Sequence, residues 1–288
     1  MDVRSSSPSH DIQALASDHV EADTHMVLSV IHSHASHIIV ESQDTDVFVV
    51  LVANYKQFGQ KNVYMKQKTN KECKVTDIGA TAQGLLSAGL DPESIPLLHS
   101  LTGCDTTSYL YGIGKSTAWS IFKESHELLK DINCDVPNNI DYERVEKFMC
   151  CLYKDKFATS LDSMRVDRIL TTNKPEDIPP TSDAAMLHIS RAFLQAHVWK
   201  NAHVPVHDIM SHELLSTGFI LDDQNNTLTP IMMTKSPMSK SVLEMISCNC
   251  KSSCETKKCS CFKSKLRCTI MCHKKLKENS DCTNVNTK

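Results

Sequence analysis

The chain has 288 residues, 41% of them hydrophobic, which suffices for one sizeable core and a small additional module. Its net charge of −3 is unevenly divided: from Cys248 onward, ten Lys/Arg face only Glu255, Glu278 and Asp281, about +7, which leaves residues 1–247 at about −10. That asymmetry indicates an acidic body with a basic arm. The polar first ten residues, and the lack of any run near the ~18 apolar residues a membrane helix needs, predict neither a signal peptide nor a membrane partner.

Residues 1–16 show no periodic pattern and are expected to be disordered. Residues 18–31 predict a helix: Asp18 can cap it, Glu21 and Asp23 suit its positive end, and Val27, Leu28 and Ile31 form a stripe. Residues 37–42 read as a short buried strand, interrupted by Asp44-Thr-Asp46. Residues 47–52, Val-Phe-Val-Val-Leu-Val, are apolar on both faces and predict a second strand, of the kind found in a parallel sheet covered on both sides by helices. Residues 62–66 and 73–77 suggest an edge hairpin. Helices are expected at 77–88, 94–102, 115–125, 141–153 and 183–202. A late hairpin is expected at 218–233, with its turn at 223–226. The chain divides into a disordered start (1–16), an α/β part (17–130), a helical extension with hairpin (131–236), a linker (237–247) and a Cys-rich module (248–288).

Five carboxylates fall where an α/β fold can gather them. Glu21 and Asp23 sit at a helix start, Asp44 and Asp46 between two strands, and Asp105 in a Gly103-Cys-Asp loop. Open α/β sheets form ligand sites at the carboxyl ends of their strands. Gathered carboxylates repel unless cations neutralise them, and Mg or Mn ions can do so while clamping a phosphodiester. Taken singly, each acid is also an ordinary cap or turn residue. Downstream, Gly112-Ile113-Gly114-Lys115-Ser116 is a Gly-x-Gly turn opening a helix, which presents backbone N–H groups to a phosphate. It is neither a Walker A loop nor a dinucleotide fingerprint.

Eight of the thirteen cysteines crowd the tail: Cys248, Cys250, Cys254, Cys259, Cys261, Cys268, Cys272 and Cys282. Two C-x-C pairs hold thiolates too close for a long-loop disulfide framework and suit a shared metal. Tetrahedral zinc takes four such ligands. The tail has few other apolar residues, so it needs metal to fold. Its basic side chains, among them Lys257, Lys258, Lys263, Lys265 and Arg267, mark it as a nucleic-acid-binding arm.

In their order and spacing, Glu21-Ala-Asp23, Asp44-Thr-Asp46, Gly103-Cys-Asp105 and Gly112-Ile-Gly114-Lys115 resemble the second half of flap endonuclease/XPG-type nucleases, over about residues 18–130. The resemblance implies a partial PIN-like parallel sheet flanked by helices, with a helix-hairpin-helix. It implies Mg- or Mn-dependent two-metal hydrolysis of structured DNA by Glu21, Asp23, Asp44, Asp46 and Asp105. The 112–116 hairpin would hold duplex phosphates through a bound monovalent cation. That family takes two further metal-binding Asp residues and half its sheet from an N-terminal portion. This chain begins almost at Glu21, so the expectation is an incomplete site, either in a truncated product or with the missing half supplied by another chain. The tail resembles the tesmin-type CXC module, a zinc-binding DNA reader with nine cysteines for three zinc ions. Here eight remain, Lys274 standing two residues past Cys272, which implies two or three zincs. The combination suggests a nuclear, mobile-element-associated DNA-binding protein. The alternative is a non-catalytic DNA- or protein-interaction remnant in which only the zinc tail functions.

Overall fold

The computed structural model describes residues 15–68, 72–132, 140–171, 175–205, 218–222, 227–236, and, in the tail, 248, 250, 253–256, 258–263, 268, 272 and 282–284. The expected disorder over 1–14, the 223–226 turn and the 237–247 linker lie outside these residues. The fold is mixed α/β with small sheets, and it divides into two compact units. The first comprises residues 1–110, 114–142 and 188–231; the second comprises 111–113, 143–187 and 232–288. No helix among the described residues is long and apolar enough to cross a membrane.

The first unit opens with helix α1 (Ala22–His32), whose N-cap position is Glu21 rather than Asp18. Strand β1 (His37–Glu41) follows, as its β-branched run dictates. The next segment corrects the expectation of a second strand: Thr45–Ala53 is helix α2. Asp44 caps it, its side chain accepting from the N–H of Asp46. A short run that is apolar all round suits a buried helix as well as a buried strand, and here the Asp44 cap opens it as a helix. Val47, Val49, Val50, Leu51 and Val52 are all buried.

Strands β2 (Asn62–Lys68) and β3 (Cys73–Asp77) complete a three-stranded sheet in the order β1-β2-β3. β1 and β2 run parallel, with Val40 opposite Met65; β2 and β3 run antiparallel. The sheet is therefore mixed. The inner face of its parallel pair, Val40, Val63 and Met65, joins the core with α2, while Ile39 and Val75 stay exposed. Helices α3 (Ile78–Ser87), capped by Asp77, α4 (Ile95–Leu101) and α5 (Lys115–Ser125) follow within a residue or so of expectation. Between α4 and α5 the loop turns at Gly103, whose φ is +101°; a Cβ there would lie 2.6 Å from the Cα of Tyr109. Only glycine fits that crossing.

Helix α8 (Ser182–Lys200) brings its last turns to this unit, where Trp199 is buried in the core. The Asn54 side-chain amide, at the end of α2, donates to the carbonyls of Val50 (2.9 Å) and Trp199 (2.8 Å). A hairpin of β4 (Phe219–Asp222) and β5 (Thr227–Pro230) closes the unit as expected.

In the second unit lie most of α6 (Tyr142–Leu152) and all of α7 (Leu161–Thr171), a helix the sequence patterns had not suggested. Val145, Phe148, Met149 and Leu152 are buried there. The Glu146 carboxylate accepts from the N–H of Leu161 (2.8 Å) and the hydroxyl of Ser182 (2.5 Å), tying three segments together. Of the scattered cysteines, Cys73 is exposed, Cys104 half-buried, and Cys150 and Cys151 buried; Cys134 lies outside the described residues. Burial pushes the Cys150 thiol up to about 11, as expected of an inert core thiol.

Candidate metal centres

The five acidic side chains come from three separated segments of the first unit. Glu21 is the residue before α1, and Asp23 lies in its first turn. Asp44 and Asp46 flank the start of α2, and Asp105 is exposed in the loop after α4. They meet around Asp23. Partial burial, and then the negative charges of Asp44, Glu21, Asp46 and Asp105, hold its carboxyl above the ordinary carboxylate range. The fold thus concentrates like charge at one place. Among the described residues, however, only cysteine groups bring three or more donor atoms within 4.8 Å of one another; the carboxylates stay wider apart. Their donor chemistry, hard anionic oxygen, fits Mg or Mn.

Polar side chains hold several of these acids. His99, in α4, bonds Asp46 through Nε2 to Oδ1 at 2.8 Å, both side chains largely buried. The Trp199 indole N–H points at the Glu21 carboxylate (3.4 Å), as does the Gln195 amide (3.5 Å). Gln195 also accepts from the hydroxyl of Thr106 (2.7 Å), next to Asp105. The rings of His99 and Trp199 lie 5.8 Å apart. One face of α8 therefore touches two of the three acid-bearing segments, from some 170 residues downstream of Glu21. The sequence patterns single out none of Trp199, Gln195 and His99. Polar residues on an otherwise apolar helix carry no motif, and their role depends on the tertiary fold.

Lys115, expected to face a phosphate, is placed otherwise. Its ammonium donates to the carbonyls of His99 (2.6 Å) and Gly103 and to the hydroxyl of Thr102 (3.0 Å). It thereby satisfies the C-terminal end of α4, where a cation is favourable. Burial of the amine pushes it down to about 8. Gly114 is the N-cap of α5 and makes no side-chain cap bond, Gly112 has φ +72°, Ile113 is buried, and Ser116 is exposed.

All eight tail cysteines are described, and together they form a sulfur-lined core of their own. Three groups have donor atoms within 4.8 Å of one another. They are Cys248/Cys259/Cys261/Cys268, Cys248/Cys250/Cys254/Cys259 and Cys254/Cys268/Cys282. Sulfur–sulfur distances of 3.7 Å (Cys248–Cys268), 3.8 Å (Cys248–Cys254) and 3.6 Å (Cys261–Cys272) are too long for a disulfide bond and suit ligands around shared cations. Burial pushes the Cys248 thiol up to about 11 and that of Cys261 up to about 12. For Cys259 burial raises the thiol too, but the Phe262 N–H and the neighbouring thiols outweigh it and bring it down to about 7. A cation at this cluster replaces protons that the buried sulfurs otherwise retain. Soft sulfur donors at these separations fit zinc. The short helix α9 (Ser260–Lys263) carries Cys261, and the backbone of Asn284 closes the end of the module by accepting from Cys268 N–H (2.7 Å).

Of the expected DNA-contacting side chains of the tail, Lys258 and Lys263 are exposed, and Lys257, Lys265 and Arg267 lie outside the described residues. No protein-family model, curated protein or solved structure matches this chain.

Proposed function

We propose that this chain is a nuclear DNA-binding protein with a PIN-like, flap-endonuclease-type body and a zinc-binding CXC tail. The observation that carries the reading is the gathering of Glu21, Asp44, Asp46 and Asp105 around Asp23. Gathered acids repel one another and weaken a fold, and a bound cation would relieve that repulsion. Glu21, Asp23, Asp44, Asp46 and Asp105 would hold Mg or Mn, which supplies charge stabilisation for an in-line attack on a phosphodiester. Hydrolysis joins a water oxygen to phosphorus and breaks one P–O bond to sugar, the departing oxygen taking up a proton. The chain's own contribution is positioning: His99 fixes Asp46, Trp199 and Gln195 orient Glu21, and Lys115 steadies the loop that carries Asp105. The basic tail, folded on zinc, holds DNA through its phosphates. The helix-hairpin-helix reading of residues 112–116 belongs to the same proposal and rests on their sequence.

A second reading is favoured by one specific observation. Among the described residues the carboxylates do not close to single-ion distance. In that reading the body is catalytically silent and the tail alone engages DNA or protein. Incubating the chain with branched DNA and Mg or Mn, beside the Asp44→Ala/Asp46→Ala variant, separates the two. Metal-dependent cutting absent from the variant establishes the nuclease. Equal binding without cutting by both proteins establishes the silent remnant.

A further inference from the structure

Helices α2, α3, α4 and α5 of the first unit leave between them an apolar cavity of about 360 Å³. Packed interiors hold few voids larger than a water molecule, so a space of this size is not ordinary core. Phe48 and Val52 of α2, Leu85 of α3, Leu98 of α4 and Trp119 of α5 line it. Phe48, Leu85 and Trp119 stay half-buried, so the chain itself does not finish covering this apolar face. Among the described residues, Lys115 is the only Lys, Arg, Asp or Glu on the wall, and three oxygens of the α4 end already hold its ammonium. A charged ligand would shed its water here without gaining a partner, so the wall selects a neutral molecule. The Trp119 ring, packed against that of Phe122 at 5.6 Å, gives an aromatic ligand a surface to stack on. An apolar cavity of ~150 Å³ takes one benzene ring, so this one has room for about two or three.

The cavity also touches the side chains that steady the acids. His99, whose Nε2 bonds Asp46 at 2.8 Å, is on its wall. So is Lys115, which holds the Gly103 carbonyl at the base of the loop that carries Asp105. We infer that this cavity binds a small neutral aromatic molecule of two or three rings, stacked on Trp119, and that its occupant bears on Asp46 through His99. The site needs no metal at the acids and goes beyond the function proposed above. A ligand against the imidazole favours one placement of His99, and with it one placement of the Asp46 carboxylate. The apolar cavity is thereby a second site, coupled to the acidic one.

The test uses the full-length, zinc-loaded chain and phenylnaphthylamine, a neutral aromatic amine whose fluorescence rises in apolar surroundings. One molecule binds per chain, and binding saturates. Its sulfonated analogue, anilinonaphthalene sulfonate, displaces it at least about ten-fold less well, because the sulfonate loses hydration at the apolar wall. Trp119→Ala removes the stacking ring and Leu85→Trp fills the space; each weakens binding at least about ten-fold with circular dichroism unchanged. Trp119→Phe keeps a ring and most of the affinity. In nuclear magnetic resonance the His99 imidazole signals shift on binding, while those of His188, which does not line the cavity, stay in place. Should Leu85→Trp fail to fold, the Trp119→Ala and Trp119→Phe pair decides. Fluorescence that climbs without saturating, or equal affinity in Trp119→Ala and the unchanged chain, puts the probe elsewhere and overturns the site. Equal displacement by the sulfonate overturns the selection of neutral ligands. Saturable binding with unmoved His99 signals overturns the link to Asp46. None of these outcomes bears on the nuclease reading, which the cutting experiment decides by itself.

Discussion

The thiol cluster and the carboxylate cluster both gather metal-type ligands, and they are built in opposite ways. The eight sulfurs lie within 35 consecutive residues, and among the described residues between and beside them are one short helix and the backbone bond from Cys268 to Asn284. The carboxylates come from α1, α2 and the loop after α4, and the residues that steady them come from α4 and the end of α8. One site is specified by spacing, so its ligands create the fold around them. The other is specified by tertiary packing, so the fold must exist before the ligands meet. A soft, local, sulfur-lined core and a hard, non-local patch of repelling acids should therefore respond differently to every perturbation.

The largest expected difference is to metal removal. Structural zinc contributes on the order of 10 kcal/mol of apparent folding free energy in small modules. A strong chelator should unfold residues 248–284 and leave the thermal transition of the body within a degree or two by calorimetry, on the scale of a surface change. Loss of both transitions together breaks the distinction. Trp199→Ala is the reverse experiment. Removing this fully buried ring should cost the body about 3–5 kcal/mol in denaturant unfolding while zinc content holds. Trp199→Phe keeps most of the packing but removes the N–H that faces Glu21, so it should weaken Mn binding more than it weakens folding.

Gly103→Ala comes next, at about 1–3 kcal/mol by the same unfolding measurement, because φ is +101° and the new methyl meets the Tyr109 backbone. An unchanged midpoint would mean that the loop carrying Asp105 relaxes freely. Acid offers a further contrast. His188 is buried with Nε2 against the Leu101 carbonyl (2.9 Å), and burial lowers its pKa below the usual 6.5. The unfolded chain then binds the proton better, so body stability is complete above about pH 6.5 and falls as pH drops below that value. His188→Gln should flatten this limb of the stability curve. The smallest effect is that of Asp23→Asn. It relieves repulsion from four acids, so without divalent metal it should stabilise the body by less than about 1 kcal/mol, solvent screening keeping the gain small. The same change should abolish stabilisation by Mn.

The two clusters also differ in how far their residues could be read from sequence. The cysteines name their own site, because C-x-C spacing and a lack of apolar residues admit few other folds. The acids were readable as residues but not as an arrangement. Asp44 was recognised beside an apolar run, yet Val47–Val52 form a buried helix rather than a strand. Periodicity cannot distinguish the two when every side is covered, and the Asp44 cap decides for the helix. Lys115 follows Gly112-Ile-Gly114 as a phosphate ligand would, but three oxygens at the end of α4 hold its ammonium. His99, Gln195 and Trp199 had no signal at all, since their polar contacts cross between segments far apart in the chain. Helices α3 to α6 were legible to within a residue or two, and at the start of α3 the Asp77 cap agrees with the pattern.

The most direct test of this contrast is one urea titration of the zinc-loaded chain. Bound Mn would be followed by electron paramagnetic resonance, free zinc by a chromogenic chelator, and body structure by circular dichroism. Mn should be released along with the unfolding body while zinc stays bound to higher urea. Mn that never binds, or Mn and zinc released in a single step, would contradict the account of one centre made by the fold and one made by its own ligands.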